Sequence, residues 1–248
     1  MTDETKHIVS SFEADMQRLR DMIAAMGGLV EQAVAEAATA LLDHDPGIAV
    51  RVVANDLKID AQEREVEKFA VTLLALRQPL ADDLRQVVSA LKITTDLERI
   101  GDYAANIAKR SLVINRVAQS FALSSIGQML VLAQQNLKTT IDAVSEADPQ
   151  KAVAVWRADQ AVDDLYNTIF RELITYMMED PRNITACTHL LFIAKNVERI
   201  GDHATNMAEL TYYAITGQSL PEFRPKGDQT SLYGDQLPPP PKQADSGP

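Results

Sequence analysis

Asp96-Leu-Glu-Arg-Ile-Gly-Asp102 returns as Asn196-Val-Glu-Arg-Ile-Gly-Asp202, a shift of 100 residues. The match runs on through Ala104/Ala204, Asn106/Asn206 and Ala108/Ala208. It also extends upstream. Asp56-x-x-x-Asp60 recurs as Asp159-x-x-x-Asp163, Asp45-Pro46 as Asp148-Pro149, and Pro79 as Pro181. A unit of about 100 residues is therefore present twice, and what repeats best is carboxylates at helical spacing.

Outward from this motif, prolines punctuate the chain. Pro46, Pro79, Pro149 and Pro181 are the only prolines before residue 217. Proline is tolerated in the first turn of a helix and disfavoured inside one. The matched pairs therefore predict three helices per repeat: about 6–44, 46–77 and 81–117, then 122–147, 149–178 and 182–216. Apolar stripes support this. Val155, Asp159, Val162, Tyr166, Ile169, Leu173 and Tyr176 alternate steps of 4 and 3, and Val52, Asp56, Ile59, Glu63, Val66, Ala70 and Leu73 form the matching stripe. Leu84, Val87, Leu91, Thr94, Glu98, Gly101, Ala105 and Ala108 form another. Such stripes are seams of helices packed lengthwise. The predicted fold is all-α: two three-helix bundles in series, 1–118 and 119–216, related by internal duplication. Residues 217–248 hold seven of the eleven prolines and should be an extended or disordered tail.

Within the stripes Asp56, Glu98, Asp159 and Glu198 stand where apolar residues belong. Burying an unpaired carboxylate costs several kcal/mol, so something must compensate. Asp60, Asp102, Asp163 and Asp202 lie one turn further along the same faces. Each bundle thus brings two carboxylate pairs from two helices together, and clustered negative charges call for a cation. All-oxygen donors suit hard ions such as Mg²⁺, Mn²⁺ and ferric iron. Mn, Mg, Fe or Zn is the expected complement. Gly101 and Gly201 sit mid-helix at a penalty of ~1 kcal/mol relative to Ala, which a close approach of backbones or of a ligand would explain. Asp96 would extend the first acidic set, whereas Asn196 stands in its place in the second repeat. Asn106 and Asn206 are further candidate ligands or outer-shell groups. The competing reading pairs the carboxylates with Arg99 and Arg199 as plain salt bridges. His44, His189 and Cys187 have no counterpart of the same type in the other repeat, and His203 faces Tyr103 in the alignment.

The formal net charge is −11, so a phosphate-neutralising basic face for nucleic acid is not expected. Aromatic residues make up only 5% of the chain, and abundant Ala and Leu favour helix over sheet. One cysteine allows no internal disulfide and suits a reducing compartment. The N-terminus lacks an apolar signal core, and no run is long enough to span a bilayer, so a cytoplasmic protein is expected.

At the repeated Glu-Arg-Ile-Gly-Asp segments and the upstream Asp-x-x-x-Asp pairs, over about residues 1–216, the chain resembles the PhoU family of phosphate-signalling regulators. That resemblance implies two three-helix bundles with pseudo-two-fold symmetry and metal at the Glu/Asp-x-x-x-Asp motifs. It implies a cytoplasmic, often dimeric protein that is not an enzyme. The family role is negative regulation of the phosphate-starvation response and of phosphate uptake, linking the phosphate ABC transporter and its ATPase subunit to a sensor histidine kinase. The tail lies outside the pattern. Three other classes compete. A ferritin-like di-metal oxidase needs Glu-x-x-His pairs, and the chain offers only Glu4-x-x-His7. A histidine phosphotransfer bundle needs a reactive histidine. A helical adaptor without metal is the most serious rival.

Overall fold

The structure, a computed structural model, describes residues 3–115 and 123–221, with side chains from Phe12 onward. The 118/119 boundary and the Pro-rich stretch from residue 222 lie outside the described residues, as do the side chains of Glu4 and His7. Among those described there is no strand. The helices are α1 (Asp3–Leu42), α2 (Pro46–Arg77), α3 (Asp82–Ile114), α4 (Leu123–Glu146), α5 (Pro149–Ala158), α6 (Gln160–Glu179) and α7 (Ile184–Thr216).

The repeated Asp-Pro pairs start α2 and α5 in the same way. Asp45 accepts hydrogen bonds from the Gly47 and Ile48 amides, and Asp148 from those of Gln150 and Lys151. Each aspartate thus occupies two of the free amides at a helix start, with proline in the first turn, where it lacks only a donor that would be unused. The residues just before them, His44 (φ 55°) and Ala147 (φ 52°), are both left-handed. They close α1 and α4 with bonds from the Asp45 and Asp148 amides back to Ala40 and Ala143. His44 is thereby a helix-ending residue, with its Nδ1 3.0 Å from Asn115 Oδ1. The Pro79 and Pro181 turns differ. Gln78 and Ala81 take positive φ around Pro79. Pro181 instead opens a 3₁₀ turn, Pro181–Asn183, where the Asp180 carboxylate accepts from the Arg182 amide.

One expected helix is interrupted. The 149–178 segment breaks at Asp159, where the Val162 amide bonds back three residues to the Asp159 carbonyl. No proline or glycine sits there. The chain tightens into a 3₁₀-like step just where a carboxylate turns inward.

The two bundles follow in series along the chain and lie side by side in space. α3 packs on α7 and α1 on α4, and one contiguous apolar core runs from Met16 to Met207 through both repeats. α3 and α7 run antiparallel: Asp96 meets His203, while Arg110 meets His189 and Phe192. Near the middle, the repeat-equivalent rings of Tyr103 and His203 lie 5.6 Å apart, marking a pseudo-two-fold axis between the halves.

Candidate functional site

The first cluster forms where α2 crosses α3. Gly101 makes the crossing tight. A Cβ there would lie 2.9 Å from Ile59 Cδ1, 3.2 Å from its Cγ2 and 3.7 Å from Asp56 Oδ1. This is the close approach that a mid-helix glycine predicts, and it sets Asp56 against α3. Burial pushes the Asp56 carboxyl above its ordinary value, and repulsion from Asp102 and then Asp60 adds to this, opposed by Lys109. Glu98 is also raised, first by burial, then by Asp102, with Glu63 and Asp60 adding and Arg99 opposing. The structure therefore brings Asp56, Asp60, Glu98 and Asp102 into one electrostatic neighbourhood. Glu63 belongs there too, raised by burial and by Glu67 and Asp60. It was not singled out in the sequence, although it sits in the α2 stripe.

Arg99 bridges part of this cluster. Its guanidinium is 3.6 Å from Glu98 and 3.4 Å from Asp102, with a side chain 54% exposed. Ion pairs this open contribute ~0–1 kcal/mol, so Arg99 only partly relieves the repulsion.

The second cluster, between the α5/α6 joint and α7, is buried more deeply. Asp159, Asp163 and Glu198 are 3%, 5% and 4% exposed. Asp159 Oδ1 accepts a hydrogen bond from Thr205 Oγ1 at 2.9 Å. Lys195 Nζ donates to Glu198 Oε1 at 2.7 Å and lies 4.9 Å from the centroid of the Tyr166 ring. Glu198 Oε2 is buried with no hydrogen-bond partner. Burial drives the Glu198 carboxyl upward, Lys195 draws it back, and Asp202 and Asp163 add repulsion. Gly201 is less crowded than Gly101, since a Cβ there would sit 3.4 Å from Val162 Cγ1. Arg199 lies over the Tyr103 ring, 5.7 Å from the centroid.

Asp96 is placed differently from the sequence expectation. Two residues along a helix are about 200° apart, so Asp96 faces away from Glu98. It meets His203, Oδ1 to Nδ1, at 2.7 Å across the α3–α7 seam. Asp96 and Asn206 both line a cleft of about 750 Å³ that Lys92, Glu209, Tyr213 and Pro221 also border. Asn106 is exposed on α3. Cys187 is a buried core thiol, and His189 lies 3.4 Å from an Arg110 nitrogen. Among the described residues, no three His, Cys, Asp or Glu side chains form a ready-made metal cage. Lys195 and Thr205 went unnoticed in the sequence. The signal was the mismatch between repeats, Thr95 against Lys195 and Ala105 against Thr205.

Fold and site together define a duplicated helical-bundle protein with a carboxylate cluster in each half. The PhoU domain family matches twice, over residues 23–111 and 126–211. The chain belongs to the PhoU family. It is 49% identical over 228 residues to the phosphate-specific transport system accessory protein PhoU homolog of Caulobacter vibrioides (strain NA1000 / CB15N), covering 92% of this chain and 99% of that protein. The homolog of Rhizobium meliloti (strain 1021) is 44% identical over 230 residues, covering 92% and 97%. The crystal structure of PhoU from Pseudomonas aeruginosa superposes with a TM-score of 0.81 at 39% identity, covering 84% of this chain and 100% of that one. That of the phosphate transport system regulatory protein PhoU from Streptococcus pneumoniae gives 0.77 at 29% identity, covering 85% and 99%.

Proposed function

We propose that this protein is a negative regulator of phosphate uptake and of the phosphate-starvation response. It acts as a metal-binding adaptor between the ATPase subunit of the phosphate ABC transporter and a sensor histidine kinase. The observation that carries this is the end-to-end match, covering 92% of the chain and 99% of the relative, to a protein named as an accessory of phosphate-specific transport. No described helix is long and apolar enough to cross a membrane, so contact with a transporter would be made from the surface of the bundles. The excess of acid favours basic partner surfaces, which speeds and orients encounter. The working form is cytoplasmic and a homodimer.

The donor chemistry fits a hard cation. Asp56 and Glu98 are raised by burial and by neighbouring carboxylates, so positive charge placed between them relieves both. Asp56, Asp60, Glu98 and Asp102 would hold such an ion in the first repeat, and Asp159, Asp163, Glu198 and Asp202 are the matching donors of the second. A bound ion supplies charge neutralisation that locks α2 against α3. The adaptor without metal differs from this reading only there. Deleting the gene should switch on phosphate-starvation genes in high phosphate, and removing the kinase as well should abolish the effect. Normal repression in the deletion strain defeats the regulatory reading. Protein purified without chelator should carry Mn, Mg, Fe or Zn, and Glu98→Gln with Asp102→Asn should lower that content. Unchanged content defeats the metal assignment.

A further inference from the structure

Three matched differences between the two clusters point in one direction, while Lys109 against Glu209 runs the other way. Thr95 of the first repeat is Lys195 in the second, Glu63 is Tyr166, and Ala105 is Thr205. At these three positions the second repeat loses a carboxylate and gains an ammonium, a hydroxyl donor and an aromatic face. The three changes act together in space. Tyr166, only 7% exposed, lies beneath the Lys195 ammonium, which bonds Glu198 Oε1, while the Thr205 hydroxyl bonds Asp159 Oδ1. An ammonium over an aromatic face gains cation–π attraction as well as its ion pair, here with the Lys195 side chain 34% exposed. The first repeat has no ammonium at the matching place: Lys109 acts on Asp56 as a through-space charge, and Arg99 is exposed and stands 3.4 to 3.6 Å from the acids it meets.

We propose that the Lys195 ammonium is the resident cation of the second repeat. It holds the place that a metal ion takes in the first, so that one chain loads metal at Asp56, Asp60, Glu98 and Asp102 alone. This rests on the metal reading given above. The donor set of the second site is nonetheless kept. Glu198 Oε2 is buried without a hydrogen-bond partner, and Asp202 and Asp163 repel its carboxylate, so one of the oxygens a metal would use is left unsatisfied by the lysine. Glu198 is also more deeply buried than its counterpart, 4% exposed against 19% at the Glu98 side chain, while Asp202 and Asp102 are both half-buried. The duplicated protein is thus asymmetric in function: one half senses or stores a cation, and the other carries its own.

The test uses the full chain, stripped with chelator and titrated with Mn²⁺. E98Q with D102N should reduce bound Mn²⁺ at least roughly tenfold, and the mirror variant E198Q with D202N should leave it unchanged. K195T, which copies the first repeat, should open the second site and about double the Mn²⁺ bound. Loss of Mn²⁺ in E198Q with D202N, or no gain in well-folded K195T, overturns the proposal. If wild type and all variants bind neither Mn²⁺ nor Fe³⁺ nor Zn²⁺, the metal reading above falls and melting decides on Lys195. K195M should then melt roughly 4–8 °C lower, because it strands a buried carboxylate, and adding E198Q should restore most of the loss. A K195M protein that melts like wild type overturns the resident cation.

Discussion

The two α-helical crossings that carry the carboxylates came from one ancestral unit, yet they solve the same electrostatic problem differently. At α2–α3 the acids are half-buried, repel one another, and meet the exposed Arg99 guanidinium and the through-space charge of Lys109. At α5/α6–α7 Asp159, Asp163 and Glu198 are almost wholly buried and are met by a lysine and a threonine, while Asp202 is half-buried. Burial raises the stakes of every unpaired charge, so the deeper site carries internal partners, while the shallower one can leave its balance to an ion from solvent. Duplication supplies two copies of a costly motif, and a few substitutions in one copy suffice to change what neutralises it.

Experiments can break or sharpen this contrast. The largest expected effect is conversion of the first site into the second. T95K with E63Y should place an ammonium and a ring beside Glu98 and reduce Mn²⁺ bound by the full chain roughly tenfold, measured by equilibrium dialysis. Undiminished binding would mean that the exchange at these positions does not set the asymmetry. Next, T205A removes the hydroxyl that Asp159 accepts from, in a buried setting, and should lose ~1–3 kcal/mol in chemical denaturation. Because Ala105 occupies the matching position, a loss well under ~0.5 kcal/mol would show that Asp159 is held by other groups.

A smaller pair of effects should have opposite signs. G201A meets only ordinary contact and should gain up to ~1 kcal/mol from helix propensity. G101A offers the same propensity gain but forces Ile59, which is 2% exposed, to shift, and should come out ~1 kcal/mol destabilised. Equal responses would show that the α2–α3 crossing is no tighter than its counterpart. The smallest effect is on pH. Asp56 and Glu98 are raised above ordinary values of 3.8 and 4.5. The folded chain therefore keeps protons that the unfolded chain has released, and stability falls as pH climbs from those values through the raised ones. Metal-free protein should melt slightly higher near about pH 5 than near about pH 8, and E98Q should flatten the first-site share of that slope. A slope unchanged by E98Q would locate the titration elsewhere.

Much of this was readable along the chain, for local reasons. Asp45-Pro46 and Asp148-Pro149 predict helix starts because capping depends on residues two and three positions away, and the structure has both caps. The motif glycines announced a close approach because glycine has no other reason to sit mid-helix. It is real at Gly101 and looser at Gly201. Asp96 leaves the expected acidic set because two residues along a helix turn it about 200° from Glu98 and toward His203. The break at Asp159 had no marker, since neither proline nor glycine signals it.

By itself the sequence determined the duplication, the helical class, the caps and the registers that place Asp56, Asp60, Glu98, Asp102 and their counterparts on inward faces. Each of these follows from spacing within one helix or from comparison of one repeat with the other. Only the tertiary structure decided which charge meets which: Lys195 on Glu198, Thr205 on Asp159, His203 on Asp96, and Arg199 over Tyr103. Helical periodicity says which side of a rod a residue occupies, but not what stands opposite. That is set by how antiparallel helices with a shared core slide and cross until their side chains interlock.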